Sequence, residues 1–387
     1  MSRKIRYGMI GGGRGAFIGG VHRIAAALDG QIELVCGAFS GDPQRSRASG
    51  QDLFLPPDRC YGSYEEMIRK EAALPAEQRI DFVSIVTPNH VHWPAAQMAL
   101  RHGFHVLSDK PATLNLAEAK KLRALVAKVG LLYGLTYTYT GYPLVKEARA
   151  MVRAGKLGKV RKVVVEYPQG WFATLLEATG QKQAVWRTDP KQCGAGGCVG
   201  DIGTHAENLV EYITGLEIKE LAADATIFVK GRRLDDDINV LLRLENGAKG
   251  VLHASQICVG EENNLNIRVW GEVGGLEWHQ KEPNTMLVKS RDRPTEVYRT
   301  ANGYLGAAAQ SATRTPAAHP EGYLEAFANI YRNFANHIRA YQEGRKLHAD
   351  DPALDYARID AGVRGMAFID AVLKSSARNA KWTPLNV

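Results

Sequence analysis

The stretch IRYGMIGGGRGAFIGG, residues 5–20, decides the fold. It begins as a short, mainly apolar run at residues 5–10, becomes glycine-rich, and leads into a helical pattern over residues 21–28. Glycines at a strand–helix junction let backbone amides approach a pyrophosphate at the N-terminus of the helix. The stretch therefore predicts the first strand and helix of an α/β unit that is suited to binding a dinucleotide.

The glycine turn in this stretch has two interpretations. Read strictly, Gly11-x-Gly13-x-x-Ala16 fits the dinucleotide-binding fingerprint. Read loosely, Gly19 is the glycine that packs the helix on the strand, and the loop before it is enlarged. The remaining candidate residues for cofactor contacts in this segment are Arg14, Gly15, Phe17 and Ile18.

The first third of the chain alternates strands with helices. Strands are predicted at residues 32–39, 82–86, 105–108 and 131–139, and helices at residues 64–71, 93–102 and 116–129. Strands separated by helices of about 10–15 residues indicate crossover connections and a parallel sheet. We therefore predict an α/β protein with a Rossmann domain, a doubly wound parallel sheet, over residues 1–140.

After residue 158 the pattern changes to strands joined by short turns, interrupted by one helix at residues 204–214. These strands are predicted at residues 160–167, 221–230, 238–244, 249–257, 264–271 and 275–279. Two more helices, at residues 324–343 and 357–376, form the tail. Residues 141–387 are therefore predicted to form an α+β domain with a large, mostly antiparallel open sheet, and its tail helices can pack back on the first domain.

Composition and charge narrow the class of protein. Of 387 residues, 45% are hydrophobic and 23% are charged, which excludes a disordered or collagen-like chain. The net charge of +8 comes from scattered side chains, so nucleic-acid binding is not expected, although a positive field favours an anionic cofactor. Five irregularly spaced cysteines indicate a reducing compartment. We expect a cytoplasmic protein with no membrane span and no metal site.

The end of the second strand carries the residues that would read the adenosine ribose. An acidic residue there favours NAD, whereas a small polar residue with an arginine accommodates the 2′-phosphate of NADP. Ser40 occupies the usual acidic place, Asp42 follows two residues later, and Arg45 is placed to meet a phosphate. Both NAD and NADP therefore stay open.

Two further strand ends carry polar clusters. One reads Thr87-Pro88-Asn89-His-Val-His92, and the other reads Asp109-Lys110-Pro. In an open parallel sheet, ligands bind outside the carboxyl ends of the strands, so these residues share an edge with the glycine turn. A lysine there can donate to a substrate oxygen and stabilise developing alkoxide charge.

A third cluster, GGCVGDIGTH at residues 196–205, leads into a helix. Asp201 and His205 are four residues apart, a spacing that puts them on one helical face or one edge of a turn. An imidazole is well suited to take a hydroxyl proton near neutral pH. This cluster therefore supplies a candidate general base.

Together these stretches resemble the glucose–fructose oxidoreductase, inositol dehydrogenase and rhizopine-catabolism family, Gfo/Idh/MocA. The resemblance covers essentially the whole chain and includes the Rossmann turn, Thr-Pro-Asn-x-x-His, a Glu-Lys-Pro-like motif and Asp-x-Gly-x-His, in family order. It implies an NAD(P)-dependent oxidoreductase that acts on a CH–OH group of a sugar or inositol. It also implies a homodimer or homotetramer.

The resemblance implies a role for each matching residue. Lys110 would position and polarise the reacting hydroxyl, Asp201 would bind substrate or hold that arrangement, and His205 would act as the acid/base. Trp186 and Arg187 resemble a Trp-Arg element of the family and are candidates for contact with substrate and cofactor. Tyr139 is a candidate for substrate binding only because it is close to these motifs in the sequence. The cofactor would also contact Thr87, Pro88, Asn89, His92 and Lys110, with Asp109 at the ribose next to nicotinamide.

Three departures from the family pattern bear on these roles. Asp109 replaces the usual Glu, and the glycine loop is longer than is typical. Thr-Tyr-Thr-Tyr, residues 136–139, stands where the family has an Asn-Tyr-Arg segment, so the substrate pocket lacks that arginine. An uncharged pocket rim favours a neutral polyol over a sugar phosphate or a uronate.

The sequence thus predicts oxidation of a secondary alcohol of a neutral ring polyol or sugar, such as an inositol, a pyranose or a glycoside, to a ketone or lactone. One alternative is a glycoside-cleaving enzyme that keeps NAD bound and oxidises its substrate transiently. Another is a sugar sensor without catalysis on the same fold. The substrate's identity, the oxidised carbon, the physiological direction and the oligomer size are left open.

Overall fold

The computed structural model describes residues 3–387, which form two compact units. The first unit runs to Thr138 and also contains Phe327–Val363. The second contains Tyr139–Ala326 and Arg364–Val387.

The first part of the chain alternates strands and helices, as predicted. In chain order it forms β1 (Ile5–Gly11), α1 (Phe17–Ala27), β2 (Ile32–Ala38), α2 (Pro43–Asp52), α3 (Tyr64–Ala73), β3 (Phe82–Val86), α4 (His92–Arg101), β4 (His105–Ser108), α5 (Leu116–Val129) and β5 (Tyr133–Leu135).

The remainder of the chain is rich in strands and ends in two long helices. It forms α6 (Pro143–Arg153), β6 (Lys162–Pro168), α7 (Lys182–Arg187), α8 (Pro190–Cys193), α9 (Thr204–Thr214), β7 (Ile218–Thr226), β8 (Asp237–Leu244), β9 (Lys249–Ser255), β10 (Asn266–Trp270), β11 (Gly274–His279), β12 (Thr285–Ser290), β13 (Glu296–Arg299), α10 (Ala307–Ser311), α11 (Tyr323–Gln342), β14 (Ala357–Arg358), α12 (Ile359–Ser376) and β15 (Thr383–Pro384). Among the helices of residues 3–387, none combines the length and apolar character needed to cross a membrane.

The first unit is built on a six-stranded sheet in the order β14-β5-β4-β3-β1-β2. Strands β1 to β5 pair in parallel, and β14 is antiparallel to β5. Every residue of β3 is buried, as expected for a parallel strand that is covered on both faces. The predicted Rossmann fold with its parallel sheet is confirmed, and the carboxyl ends of its strands carry the predicted polar clusters.

The second unit is built on a nine-stranded sheet in the order β13-β12-β11-β10-β6-β9-β8-β7-β15. All neighbours are antiparallel except β6 and β9. Along β6, the side chains of Val163, Val165 and Tyr167 are buried in alternation, and helix α9 packs against β6, β9 and β10. The predicted mostly antiparallel sheet is confirmed, and the buried face of β6 lies against the helix that carries His205.

Two predicted strands end four residues earlier in the structure than in the sequence interpretation. The strand predicted at residues 131–139 ends at Leu135, because the N–H of Thr138 donates to the carbonyl of Thr136 (2.9 Å) and a 3-10 turn follows. The strand predicted at residues 221–230 ends at Thr226, because the carboxylate of Asp236 accepts the N–H groups of residues 228 and 229 and turns the chain.

Several elements are absent from the sequence interpretation. They are α2, the last two residues of α3, α6, α7, α8, α10, β12, β13, β14 and β15. Residues 357–358, predicted as the start of a helix, instead form β14 and pair with β5. Helix α2 has no apolar stripe, so periodicity does not reveal it; it begins because the Asp42 carboxylate accepts the N–H of Arg45 (2.6 Å) and Pro43 occupies its first turn.

Candidate functional site

The glycine turn between β1 and α1 is closed by main-chain contacts. A Cβ on Gly13 would lie 2.7 Å from the carbonyl oxygen of Phe39 and 2.7 Å from Oγ of Ser49. A Cβ on Gly19 would lie 2.2 Å from the carbonyl oxygen of Gly12. Gly19, three residues into the helix from Ala16, is therefore the glycine that packs helix on turn, as the loose interpretation predicts.

The turn and the start of α1 fit a dinucleotide pyrophosphate. Ala16 is the N-cap residue of α1, and its side chain makes no hydrogen bond to the helix. The first N–H groups of α1 can therefore bind an anion. Arg14 and Gly15 are exposed at the tip of the turn, the Phe17 ring is 71% exposed, and the neighbouring Ile18 is half-buried. A Cβ on Gly13 would overlap Phe39 and Ser49, so this glycine lets the turn pack closely against the end of β2.

We expect Gly19→Ala to weaken NADH binding by at least about tenfold, because the new methyl group overlaps the backbone of Gly12 and must displace the turn. Fluorescence titration with NADH measures this loss. Gly20→Ala is the matched control, since a Cβ on Gly20 meets nothing within 4 Å. Equal affinities in the two variants would contradict the assigned role of Gly19.

The residues predicted to read the adenosine ribose contact one another at the end of β2. Oγ of Ser40 accepts the N–H of Asp42 (3.2 Å), and the Asp42 carboxylate caps α2. The Arg45 guanidinium donates to the carbonyl of Arg14 (2.7 Å), while the Arg14 side chain pairs with Asp52. Arg45 is therefore tethered to the glycine turn.

The loop after β3 is joined to the loop after β4 by His92. Its Nδ1 lies 2.7 Å from the carbonyl oxygen of Pro111, and its Nε2 lies 2.9 Å from that of Thr87. The ring is fully buried, and burial lowers its pKa despite these carbonyls and Asp109. As placed here, His92 holds two strand ends together; the predicted contact with cofactor stays a prediction.

The other predicted residues of the loop after β3 are Thr87, Pro88 and Asn89. Asn89 is buried, and Pro88 precedes it at the start of a 3-10 turn, Asn89–Val91. Oγ1 of Thr87 is buried and has no hydrogen-bond partner within residues 3–387. A bound ligand at this strand end would supply such a partner.

The Asp109 carboxylate organises the loop after β4. Its Oδ1 accepts the N–H of Lys110 (2.8 Å) and the hydroxyl of Thr136 (3.1 Å). Burial acts to raise the pKa of Asp109, but His22, Lys110 and His92 outweigh burial and hold that pKa well below its usual range. Asp109 is therefore a carboxylate at neutral pH, and the half-buried Lys110 follows it directly.

In the second unit, Asp201 lies on a π-helical turn, Val199–Gly203, that leads into α9. The turn begins where the buried Asp235 carboxylate accepts the N–H groups of Gly197 (2.6 Å) and Val199 (2.7 Å). Burial raises the pKa of Asp235 to about 6, against the effect of these N–H groups. Such turns inside helices are frequent at functional sites.

The Asp201 carboxylate is oriented by two side chains. Its Oδ2 accepts from Nε2 of Gln256 (2.9 Å) and from Nε of Arg187 (3.3 Å). The Arg187 guanidinium also lies over the Trp186 ring, 4.3 Å from its centre. The structure therefore brings together three of the predicted site residues, Asp201, Arg187 and Trp186.

The imidazole of His205 lies among aromatic and amide side chains. Its ring centre is 4.8 Å from that of Tyr139 and 6.4 Å from that of Tyr167. The two tyrosine hydroxyls are hydrogen-bonded to each other, Tyr167 donates to Oδ1 of Asn263 (2.7 Å), and Nδ2 of Asn263 donates to Tyr139 (3.0 Å). Gln169 donates to the same Oδ1 of Asn263 (2.6 Å).

Both tyrosines stay neutral phenols at physiological pH. Burial raises the pKa of Tyr139 and, more strongly, that of Tyr167, whose neighbours add to the shift. The two tyrosines beside His205 and the amides bonded to them therefore donate and accept hydrogen bonds without carrying charge.

Sequence reasoning missed Tyr167, Asn263 and Gln256 in the second unit. The alternation of β6 signals that Tyr167 faces inward, on the same side as Val163 and Val165. Asn263 and Gln256 follow no motif, so only the fold places them beside the predicted residues. Within residues 3–387, no group of three or more histidine, cysteine or acidic side chains is arranged to hold a metal ion.

Comparison with known proteins identifies the family. Residues 5–137 match the oxidoreductase family model with an NAD-binding Rossmann fold, and residues 145–277 match the GFO/IDH/MocA C-terminal domain. An uncharacterized oxidoreductase, YfiI, of Bacillus subtilis (strain 168) is 34% identical, and the alignment covers 99% of this chain and 97% of that protein.

Two solved structures are similar over nearly the whole chain. An inositol dehydrogenase homologue from Azotobacter vinelandii, complexed with NADH and myo-inositol, has a TM-score of 0.91 at 35% identity and covers 99% of this chain and 98% of that one. An oxidoreductase from Sinorhizobium meliloti has a TM-score of 0.88 at 46% identity and covers 98% of this chain and 99% of that one. The chain belongs to the GFO/IDH/MocA family of NAD-dependent sugar and polyol oxidoreductases.

Proposed function

We propose that this protein is an NAD-dependent dehydrogenase that oxidises a secondary alcohol of a neutral ring polyol or sugar, such as an inositol, a pyranose or a glycoside. The observation that carries this proposal is the setting of His205. A candidate base stands beside Tyr139 and Tyr167, which are uncharged and hydrogen-bonded to Asn263. The similar structure that contains NADH and myo-inositol supports the same substrate class.

In this proposal each candidate residue has one task. His205 takes the proton of the reacting hydroxyl, and Lys110 donates to that oxygen and stabilises its developing negative charge. Asp201, held by Gln256 and Arg187, binds a substrate hydroxyl in a fixed orientation. Bound NAD+ supplies the acceptor for the hydride that leaves the same carbon.

The charges around Asp201 favour a neutral substrate. The Arg187 guanidinium is already paired with the Asp201 carboxylate, and the Thr136–Tyr139 stretch lacks the arginine that the family pattern has. A phosphate or carboxylate on the substrate would have to compete with Asp201 for Arg187. Desolvating such an anion without a new partner costs free energy.

We therefore expect kcat/KM for neutral cyclitols and pyranoses to exceed that for the matching sugar phosphates and uronates by at least about tenfold. Initial rates measured separately with glucose, glucose 6-phosphate, glucuronate and myo-inositol give the four values of kcat/KM to be compared. A preference of similar size for either anionic sugar would contradict the proposed substrate class.

The choice of NAD over NADP is part of the proposal. Asp42 places a carboxylate near the end of β2, and Arg45, the candidate partner of a 2′-phosphate, is tethered to the carbonyl of Arg14. We expect kcat/KM to be higher for NAD+ than for NADP+ in a direct comparison. The homodimer or homotetramer that the family resemblance implies stays part of the proposal.

A further inference from the structure

A buried chain of hydrogen bonds in the first unit leads from Ser84 in the sheet to His22, which faces Asp109. His22 lies on α1 and is fully buried; its Nδ1 is 2.7 Å from the hydroxyl of Tyr331 on α11. That hydroxyl is 2.8 Å from Oγ of Ser84 on β3. Nε2 of His22 has no hydrogen-bond partner within residues 3–387 and lies 3.8 Å from Oδ2 of Asp109, within ion-pair distance.

The chemistry of the four groups fixes where the protons lie. The Asp109 carboxylate only accepts, so the ring nitrogen that faces it must carry a proton. Nδ1 of His22 then accepts from the hydroxyl of Tyr331. Tyr331 is a phenol at neutral pH, because burial raises its pKa well above the usual range, and its oxygen accepts from Ser84. Every donor in the chain thus points towards Asp109.

Packing alone does not explain a histidine at position 22. The other buried residues of α1 are small or apolar, namely Gly19, Val21, Ala25 and Ala26. The His22 ring packs edge-on against Phe327, with ring centres 4.7 Å apart, a contact that an apolar side chain also makes. An imidazole in this place costs desolvation that only its polar contacts offset.

We propose that His22 is a positioning residue for the cofactor site. Tyr331 fixes its tautomer, so that Nε2–H faces Oδ2 of Asp109 and holds that carboxylate in place. Oδ1 remains bound to the N–H of Lys110 and to Thr136. The consequence for activity rests on the proposed function, in which Asp109 accepts a ribose hydroxyl of NAD and Lys110 contacts the substrate.

The charged and titratable groups around this pair come from several elements. Asp109 faces His22 of α1, His92 of α4 and its own neighbour Lys110. Tyr7 of β1 and Asp109 raise the pKa of Tyr331 on α11, whereas Arg23 of α1 lowers it. Of these groups, only His22 both contacts Tyr331 and faces Oδ2 of Asp109, so substitutions at His22 report on that contact.

Two substitutions of His22 separate its two contacts. An asparagine amide occupies the place of Nδ1, so His22→Asn keeps a partner for Tyr331 and loses the donor to Asp109. A glutamine amide reaches the place of Nε2, so His22→Gln keeps the donor to Asp109 and loses the contact with Tyr331. Tyr331→Phe tests the tautomer in an otherwise native site, and His102→Asn, at an exposed histidine, is the control.

We expect the affinity for NADH, measured by fluorescence titration without substrate at neutral pH, to fall about tenfold in His22→Asn, because the Asp109 carboxylate loses the donor that orients it. The turnover number should fall by a similar factor. His22→Gln should restore most of both properties, Tyr331→Phe should lower the affinity by a smaller factor, and His102→Asn should match the wild type.

Thermal unfolding of each variant identifies any loss of folding, and Tyr331→Phe, which keeps the ring packing, carries the test if His22→Asn is unfolded. Wild-type affinity for NADH in His22→Asn, or in Tyr331→Phe where that variant carries the test, overturns the proposal. Equal losses in His22→Asn and His22→Gln, which indicate a packing role, overturn it as well. Because NADH binding is measured without substrate, this test can be carried out even if no polyol is found to be oxidised. Failure of this proposal and failure of the proposed function are therefore distinguishable.

Discussion

Lys110→Ala should lower turnover by about 10²–10⁴-fold while NADH still binds. Lys110 follows Asp109 at the carboxyl edge of the first-unit sheet, and its ammonium group is proposed to donate to the reacting oxygen. Without it, negative charge develops on that oxygen with no positive charge to stabilise it. Steady-state rates of NAD+ reduction, together with NADH titration, measure both halves of this prediction.

A matched control is available on the same unit. Lys120→Ala removes an exposed lysine of α5 and should leave turnover and NADH affinity unchanged. If Lys110→Ala retains near-normal turnover, Lys110 does not polarise the hydroxyl. If it loses NADH binding instead, its main role is in holding the cofactor.

His205→Ala should produce a loss of similar size, about 10²–10⁴-fold in turnover, through a different step. The imidazole is proposed to take the hydroxyl proton, so its removal leaves that proton to water. We expect the deficit to shrink as pH rises, because hydroxide then replaces the missing base. Rates measured across pH test this pattern.

His319→Ala, at an exposed loop histidine of the second unit, is the control and should match the wild type. A His205→Ala variant with near-normal turnover, or with a deficit that is constant across pH, would contradict the role of His205 as the base. Thermal unfolding of both variants separates chemistry from folding.

Much of the fold is predictable from the sequence because local patterns carry it. The glycine turn before α1 reflects a close backbone contact that admits only glycine at position 19. The alternation of strands and helices in the first third leads directly to the parallel sheet. Clusters such as Asp109-Lys110 follow predicted strands, so their place at the sheet edge follows from the topology.

The parts that sequence reasoning missed depend on contacts between distant residues. Tyr331 meets His22 across 309 positions, and Asn263 meets Tyr139 across 124. Neither pair belongs to a local motif, and a single sequence does not indicate which residues so far apart along the chain come into contact. Strand β7 ends earlier than predicted for a related reason. The N–H groups of residues 228 and 229 bind the carboxylate of Asp236, which lies seven to eight residues further along the chain.

The most direct test of the proposed function is the absorbance of reduced nicotinamide, measured with NAD+ and a panel of neutral cyclitols, pyranoses and glycosides. We predict net formation of NADH with one class of these compounds, in a one-to-one ratio with the ketone or lactone produced. Bound cofactor with no net reduction by any compound in the panel would contradict a dehydrogenase. That result would favour a glycoside-cleaving enzyme that retains its NAD, or a sugar sensor without catalysis.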